Sequence, residues 1–220
     1  MDPRRTAIVS ASLNSYRHEM LMANARGIPV LQQHGEKDDN VPAYNSRLLS
    51  QLLFQEGTSS NYYELPGAGH WFDEVMTTSQ LKSFYREQTA KNETLSRNAT
   101  TFDIVVADPG DMGSKGGIRV LQLEDPGQYG RVHVTYQAAT KAYVIKTSNV
   151  LSLELNHRFA GSGDGKVAID GTNIDVVPSG DGGGAVELSR GAKDSLWKVS
   201  GKTAVHLICP DTDCVDWSTA

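Results

Sequence analysis

The sequence is short of several things, and each shortage removes a class of function. Only two cysteines occur in 220 residues, Cys209 and Cys214 in CPDTDC. Two are too few for a disulfide-built scaffold. Their spacing is not the C-x-x-C redox arrangement, and no neighbouring Cys/His pair completes a zinc site. In an oxidising compartment they can close a small local disulfide; in a reducing one they stay two thiols. No apolar run approaches the ~20 residues that span a bilayer. The opening residues, MDPRRTAIVSAS, carry charge but no apolar stretch of signal-peptide length, so no export signal is expected there. Lys and Arg number 21 against 26 Asp and Glu, a net charge of −5 with the signs mixed along the chain. Without a basic stripe, neither nucleic acid nor an anionic membrane surface is an expected partner. Repeats of fixed period are also missing.

Glycine is scarce in one half and abundant in the other. Of 21 glycines, 5 lie in residues 1–95 and 16 beyond. The glycine-poor half alternates strand and helix patterns. AIVSAS at residues 7–12 reads as a short buried strand. Asn14 and Ser15 suit the cap of a helix over Tyr16 to Ala25, which Gly27 ends. Ile28 to Gln32 is the next strand, and its apolar start fits a strand covered on both faces. Asn40-Val41-Pro42 opens a helix whose Tyr44, Leu48, Leu49, Leu52 and Leu53 form one apolar face, with Gly57 just past its end. The Met and Leu stripes at 20–22 and 48–53 read as core faces. Asn61 to Leu65 is a third strand, and Val75, Leu81, Phe84 and Tyr85 mark a last helix to about Thr89. This alternation predicts an α/β layer with a parallel sheet over residues 1–90.

Residues 91–100 read as a polar linker holding two glycosylation sequons, at Asn92 and Asn98, which matter only if the chain meets the secretory pathway. Residues 101–220 turn to period-2 segments: Phe102–Val106, Arg119–Leu123, Arg131–Tyr136, Tyr143–Ile145, Leu151–Leu155, Val167–Ile169 and Ile174–Val177. Glycine-rich turns separate them. The expected module is mainly antiparallel β, a sandwich.

The chemistry-bearing residues sit in two loops of the first half. HGEKDD, His34 to Asp39, follows one strand, and GAGHW, Gly67 to Trp71, follows the next. One helix lies between them, so both loops leave the same edge of a parallel sheet, where open α/β sheets place functional groups. Asp38 and His70 then fit the acid and base of a catalytic triad. His70 moves the proton, and Asp38 fixes its tautomer and stabilises the imidazolium. Gly67 and Gly69 let the second loop turn sharply, and Trp71 packs beside the ring.

GIPVLQQHGEKDDNVP followed by YYELPGAGHWFD resembles the C-terminal part of the prolyl oligopeptidase family of α/β hydrolases. The family's acid loop, H-G-x-x-D-D-x-V, corresponds to His34, Gly35, Asp38, Asp39 and Val41. The resemblance implies a serine peptidase or esterase acting on a peptide or ester by acyl transfer, with Asp38 as triad acid, His70 as base and no cofactor. It covers residues 1 to about 90, with MDPRRTAIVSASLNSYRHEMLMANAR similar to the segment before the acid loop. A looser likeness runs through FDIVVADPGDMGSKGGIRVLQLEDPGQYGRVHV. The glycine-rich tail is similar to a β extension of secreted fungal relatives, which implies an extracellular location for the intact protein.

One family feature is missing: no G-x-S-x-G nucleophile elbow occurs. Ser10, Ser12 and Ser15 lie too close to the acid loop, and Ser114 and Ser162 follow the histidine. The nucleophile, the oxyanion donors and the earlier strands are therefore expected upstream of Met1, and residues 1–220 are expected to be inactive alone. Plainer roles stand beside these. His34 reads as a structural residue ending its strand, Asp39 as a helix cap, and Asp38 and His70 otherwise as an ordinary loop acid and loop histidine. A metal reading of His34, Asp38, Asp39, His70 and Asp73 lacks any known ligand spacing. A non-catalytic alternative makes the β-rich tail a polymer- or protein-binding module. A third makes the chain an interaction fragment that associates through an exposed sheet edge.

Overall fold

The computed structural model describes residues 2–95, 101–137, 139–140, 142–156, 166–175, 184–191 and 196–204. Strands outweigh helices, and the two kinds of element segregate along the chain.

The first half holds α1 (Pro3–Asn14), α2 (His18–Leu21), a 3-10 turn (Met22–Ala25), β1 (Val30–Gly35), α3 (Tyr44–Gln55), β2 (Ser60–Leu65) and α4 (Ser79–Leu95). β1 and β2 pair in parallel, from Val30 opposite Ser60 to Gly35 opposite Leu65. α3 makes the crossover, as a parallel pair requires. Gly57 takes the left-handed conformation, φ 69°, just beyond α3. Arg47 ties α3 to β2, its guanidinium forking onto Glu64 at 2.7 and 2.5 Å, and within β2 the Tyr62 hydroxyl donates to Glu64 Oε2 at 2.8 Å.

Several expectations are corrected here. AIVSAS is helical, not a strand. Ile8 and Val9 favour a strand only where a sheet supplies partners. Here the local bonds win, and the hydroxyls of Thr6 and Ser12 fold back onto the carbonyls of Asp2 and Ile8. The helix expected over 16–25 is a four-residue turn plus a 3-10 turn, and neither Asn14 nor Ser15 caps it. β1 begins at Val30, leaving Ile28 exposed. α3 starts after Pro42 with Ala43 at its N-cap, so Asp39 caps nothing and lies exposed. Its leucine stripe is not a core face among the described residues. Leu53 is buried, but Tyr44, Leu48, Leu49 and Phe54 are exposed, as is Met20 on α2. α4 starts later than expected and continues to Leu95, so the stretch read as linker begins inside it and Asn92 is helical. Asn98, Cys209, Cys214 and Ser162 lie outside the described residues.

The second half is a sandwich. Its strands are β3 (Thr101–Val106), β4 (Ile118–Leu123), β5 (Gly130–Gln137), β6 (Ala142–Ser148), β7 (Val150–Leu155), β8 (Lys166–Ile169), β9 (Thr172–Asp175), β10 (Gly184–Arg190) and β11 (Trp197–Ala204). One sheet has the order β11-β10-β7-β4, the other β3-β5-β6-β8-β9. Every pairing is antiparallel except β6 with β8. Alternate residues of both sheets point inward. Ile104, Val132, Val134, Ile145, Val167 and Ile169 meet Ile118, Val120, Leu153, Leu155, Leu188 and Trp197 in one continuous core. Burying each such side chain contributes about 1.5–3 kcal/mol, which is why this half holds a core of its own. Asp170 and Gly171, both at positive φ, make the two-residue turn between β8 and β9. The Asp170 carboxylate then accepts from Thr147 on β6 and from the Trp197 indole on β11, tying the sheets together.

The halves interlock. The Asn24 side chain pairs with the backbone of edge strand β3 as a further strand would, donating to Val105 O at 2.8 Å and accepting from Val105 N at 2.7 Å. Lys115 Nζ donates to Asn24 O, Arg26 O and Asp103 O at 2.8, 3.0 and 3.0 Å, which uses all three of its hydrogens. Burial pushes the Lys115 pKa down against the opposing pull of Asp103. Arg26 also pairs with Asp103, and the Tyr129 hydroxyl donates to Asn14 O.

Candidate active site

The site forms where the loops after β1 and β2 leave the same sheet edge, as the spacing predicts. Gly35 sits at their closest approach. A Cβ there would lie 2.2 Å from Gly69 O and 2.6 Å from Ala68 O, both backbone atoms. The loops are laced by Glu36 N to Leu65 O at 3.0 Å, Lys37 N to Ala68 O at 2.8 Å, and Gly67 N to Glu36 Oε2 at 2.8 Å. Gly67 takes φ 73°, the turn that glycine permits. Gly69 has no such conformation. Gly35→Ala is therefore expected to part the loops, costing about 1–3 kcal/mol of stability. It should also lower any activity that needs the pair roughly 100-fold, since small misplacements are that costly. Thermal unfolding and kcat check the two effects.

Asp38 and His70 meet as the spacing predicts. His70 Nδ1 lies 2.9 Å from Asp38 Oδ2 and 3.1 Å from Oδ1. The Asp38 side chain is 6% exposed and that of His70 30%, so the acid is enclosed while the base reaches solvent. Asp38 Oδ1 also accepts from the backbone N–H groups of Asn40 and Val41, both at 2.9 Å. Trp71 stands edge-on to the His70 ring, centroids 5.1 Å apart, and is itself largely exposed.

Burial alone would raise the Asp38 pKa, but the Val41 N–H, the His70 ring and the Asn40 N–H outweigh it and lower it to about 2. Glu64 is likewise lowered to about 2, first by Arg47 and then by Tyr62. Both folded pKa values lie below the ordinary ones of 3.8 and 4.5. The stability they contribute is thus complete above that range and lost as pH falls toward 2. Acid titrations of stability should steepen in this window, and Asp38→Asn or Glu64→Gln should each flatten the curve there.

Three contributors went unread in the sequence. Gln33 on β1 donates to Val75 O and accepts from the Thr78 hydroxyl at 2.8 Å, anchoring the chain that leaves the histidine loop. Thr78 in turn accepts from Leu81 N at the start of α4. Ser46 on α3 lies 2.8 Å from His34 Nδ1. His34 itself touches Asp38, Nε2 to Oδ2 at 3.1 Å. The available signal was the polar run Gln32-Gln33-His34 at the end of an otherwise apolar strand. Among the described residues no group of three or more His, Cys, Asp and Glu side chains is arranged to hold a metal.

No family model matches the chain, and no solved structure matches it. One curated relative, an "Uncharacterized secreted protein" of Arthroderma benhamiae, is 37% identical over 166 residues. The match takes in 74% of this chain and 18% of the relative, so the chain spans less than a fifth of that protein's length. A match of that length is longer than either half of the chain. It therefore crosses from the α/β layer into the sandwich, which the interlocking at Asn24 and Lys115 makes a single structural unit.

Proposed function

We propose that Asp38 and His70 are the acid and base of a serine hydrolase of the prolyl oligopeptidase type, whose nucleophile lies outside residues 1–220. The observation that carries this reading is the His70 Nδ1–Asp38 Oδ2 hydrogen bond of 2.9 Å. A buried carboxylate on Nδ1 fixes the proton there and leaves the Nε2 lone pair to take a proton from a hydroxyl. Acyl transfer to water from a peptide or ester follows the usual course. His70 accepts the serine proton, returns it to the leaving group, then activates water, while Asp38 stabilises the imidazolium at each step.

The α/β layer in this reading is the C-terminal portion of an α/β-hydrolase sheet. Two features support it. β1 and β2 form a parallel pair with no third strand among the described residues, whereas all-parallel sheets occur buried within larger ones. Ile8, Val9, Leu13, Tyr44, Leu48, Leu49 and Phe54 are also exposed on the helices around it. Further parallel strands beside this pair would cover such faces and carry the serine. The protein is extracellular in this reading, in keeping with the relative named as secreted.

The test uses residues 1–220 joined to the coding region upstream of Met1. A fluorophosphonate probe should label that polypeptide, and His70→Ala should abolish labelling. Labelling that persists in His70→Ala removes the base from the scheme.

A further inference from the structure

The loop that carries His70 is fixed at both ends to the strand that leads into Asp38. At its entrance, Gly67 N donates to Glu36 Oε2 and Lys37 N donates to Ala68 O, both at 2.8 Å and both just past the end of β1. At its exit, Gln33 on β1 uses both ends of its amide. Nε2 donates to Val75 O, and Oε1 accepts from the Thr78 hydroxyl at 2.8 Å. Thr78 is buried and stands just before α4, where its Oγ1 also accepts from Leu81 N at 3.3 Å, the bond of a helix cap. Between these two anchors, among the described residues, no hydrogen bond ties residues 69–74 to anything outside their own loop except that of His70 with Asp38.

β1 sends successive side chains to opposite faces. His34 reaches Ser46 on α3, so Gln33, one residue earlier, turns to the other face, where α4 begins. The strand that leads into the acid loop thereby also clamps the far end of the base loop. Glutamine suits this place because its amide offers a donor and an acceptor side by side, and Val75 O and the Thr78 hydroxyl need one of each. An apolar side chain at position 33 would leave the loop held at its entrance alone. His70 would then stay on Asp38 only through its own hydrogen bond.

We propose that Gln33 is a positioning residue for His70: by holding Val75 and Thr78 to β1, it fixes the exit of the histidine loop and so keeps the His70 ring on the Asp38 carboxylate. This rests on reading Asp38 and His70 as an acid–base arm and adds a component to it. Thr78 is the second half of the device, since its one hydroxyl both caps α4 and donates to Gln33. The start of α4 thereby becomes part of the site, and acid and base are referred to the same strand. In the polypeptide that carries the nucleophile, Gln33→Leu should lower kcat roughly 100-fold with little change in KM, the effect of a misplaced base.

Imidazole nitrogen NMR and backbone relaxation on the 220-residue chain test this, with amide signals of β1, β2 and the sandwich reporting that each variant is folded. In the wild-type chain His70 should show a protected Nδ1 proton, and the amides of residues 69–74 should have rigid order parameters, about 0.85. Gln33→Leu removes both hydrogen bonds of the clamp, and Thr78→Val removes one with little change of volume. Each should lose the His70 proton signal and lower those order parameters toward about 0.6. His34, on the opposite face of β1, should keep its wild-type signals in both. Thr78→Ser, which keeps the hydroxyl, should match the wild type. Should Gln33→Leu not fold, the Thr78→Val and Thr78→Ser pair decides. The proposal is overturned if the folded variants keep the His70 proton and the loop order of the wild type, or if Thr78→Ser loses them as fully as Thr78→Val. It is also overturned if His34 and the β1–β2 amides of a folded variant lose order along with His70, the mark of a general loosening of the layer. These spectra involve no nucleophile. Failure of the hydrolase reading would leave them intact, and silent clamp variants beside a labelled, His70-dependent enzyme would remove Gln33 alone.

Discussion

Asp38→Asn, made in the polypeptide that carries the nucleophile, is expected to lower kcat by about 10³–10⁴ while KM changes little. The shape of the side chain is kept, and one oxygen can still accept from Asn40 N and Val41 N. The amide NH₂ must then face His70 Nδ1, which lies 2.9 Å from Oδ2 in the native chain. It can only donate there, so His70 is driven to the tautomer with its proton on Nε2. That nitrogen can no longer accept from a serine. Steady-state kinetics on an activated ester decide the point. A loss below tenfold would mean that Asp38 does not set the tautomer.

The second large effect is structural. Lys115→Met is expected to destabilise the chain by about 2–4 kcal/mol, measured by denaturant unfolding. Methionine keeps an apolar stem of similar length, but the charge-assisted bonds to Asn24 O, Arg26 O and Asp103 O disappear, as does the cation–π contact of Nζ with the Phe102 ring, 5.7 Å from its centroid. Those carbonyls sit at the junction of the two halves, in a site dry enough to depress the lysine. The loss should fall on the α/β layer, which buries only Ala43 and Leu53 among its described hydrophobic residues. Amide exchange should therefore rise in β1 and β2 before it rises in β5, β6 or β7. Uniform loss across both halves, or a change under 0.5 kcal/mol, would show that the junction does not stabilise the layer.

The sandwich was legible because its information is local and repetitive. Val132 and Val134 in β5, Leu153 and Leu155 in β7, and Val167 and Ile169 in β8 fall at every second position and decide which face is buried, whatever the neighbours. β10 and β11 escaped notice because Gly184, Gly201 and several polar residues break that alternation, and their place beside β7 is set by partners distant in sequence. Asp38 and His70 were legible for a different reason. Two strand ends separated by one crossover helix must lie side by side, so spacing alone brings the loops together. The same logic misread AIVSAS, where β-branched residues without a partner strand coil into α1. It also misread the α3 leucines, whose stripe has the right period but no covering layer among the described residues. Gln33, Thr78 and Ser46 were hidden because their hydrogen bonds depend on side-chain direction between elements distant in sequence. The junction through Asn24 and Lys115 joins residues 91 positions apart, a distance over which no sequence pattern speaks.

Residues 1–220 are proposed to contribute the acid and base to a nucleophile carried elsewhere. The most direct measurement is peptide mapping of the fluorophosphonate adduct on the polypeptide that includes the upstream region. A single modified serine is expected, outside residues 1–220 and within a G-x-S-x-G sequence, whose modification requires His70. An adduct on Ser10, Ser12, Ser15 or Ser114, or none at all on a folded protein, would contradict it.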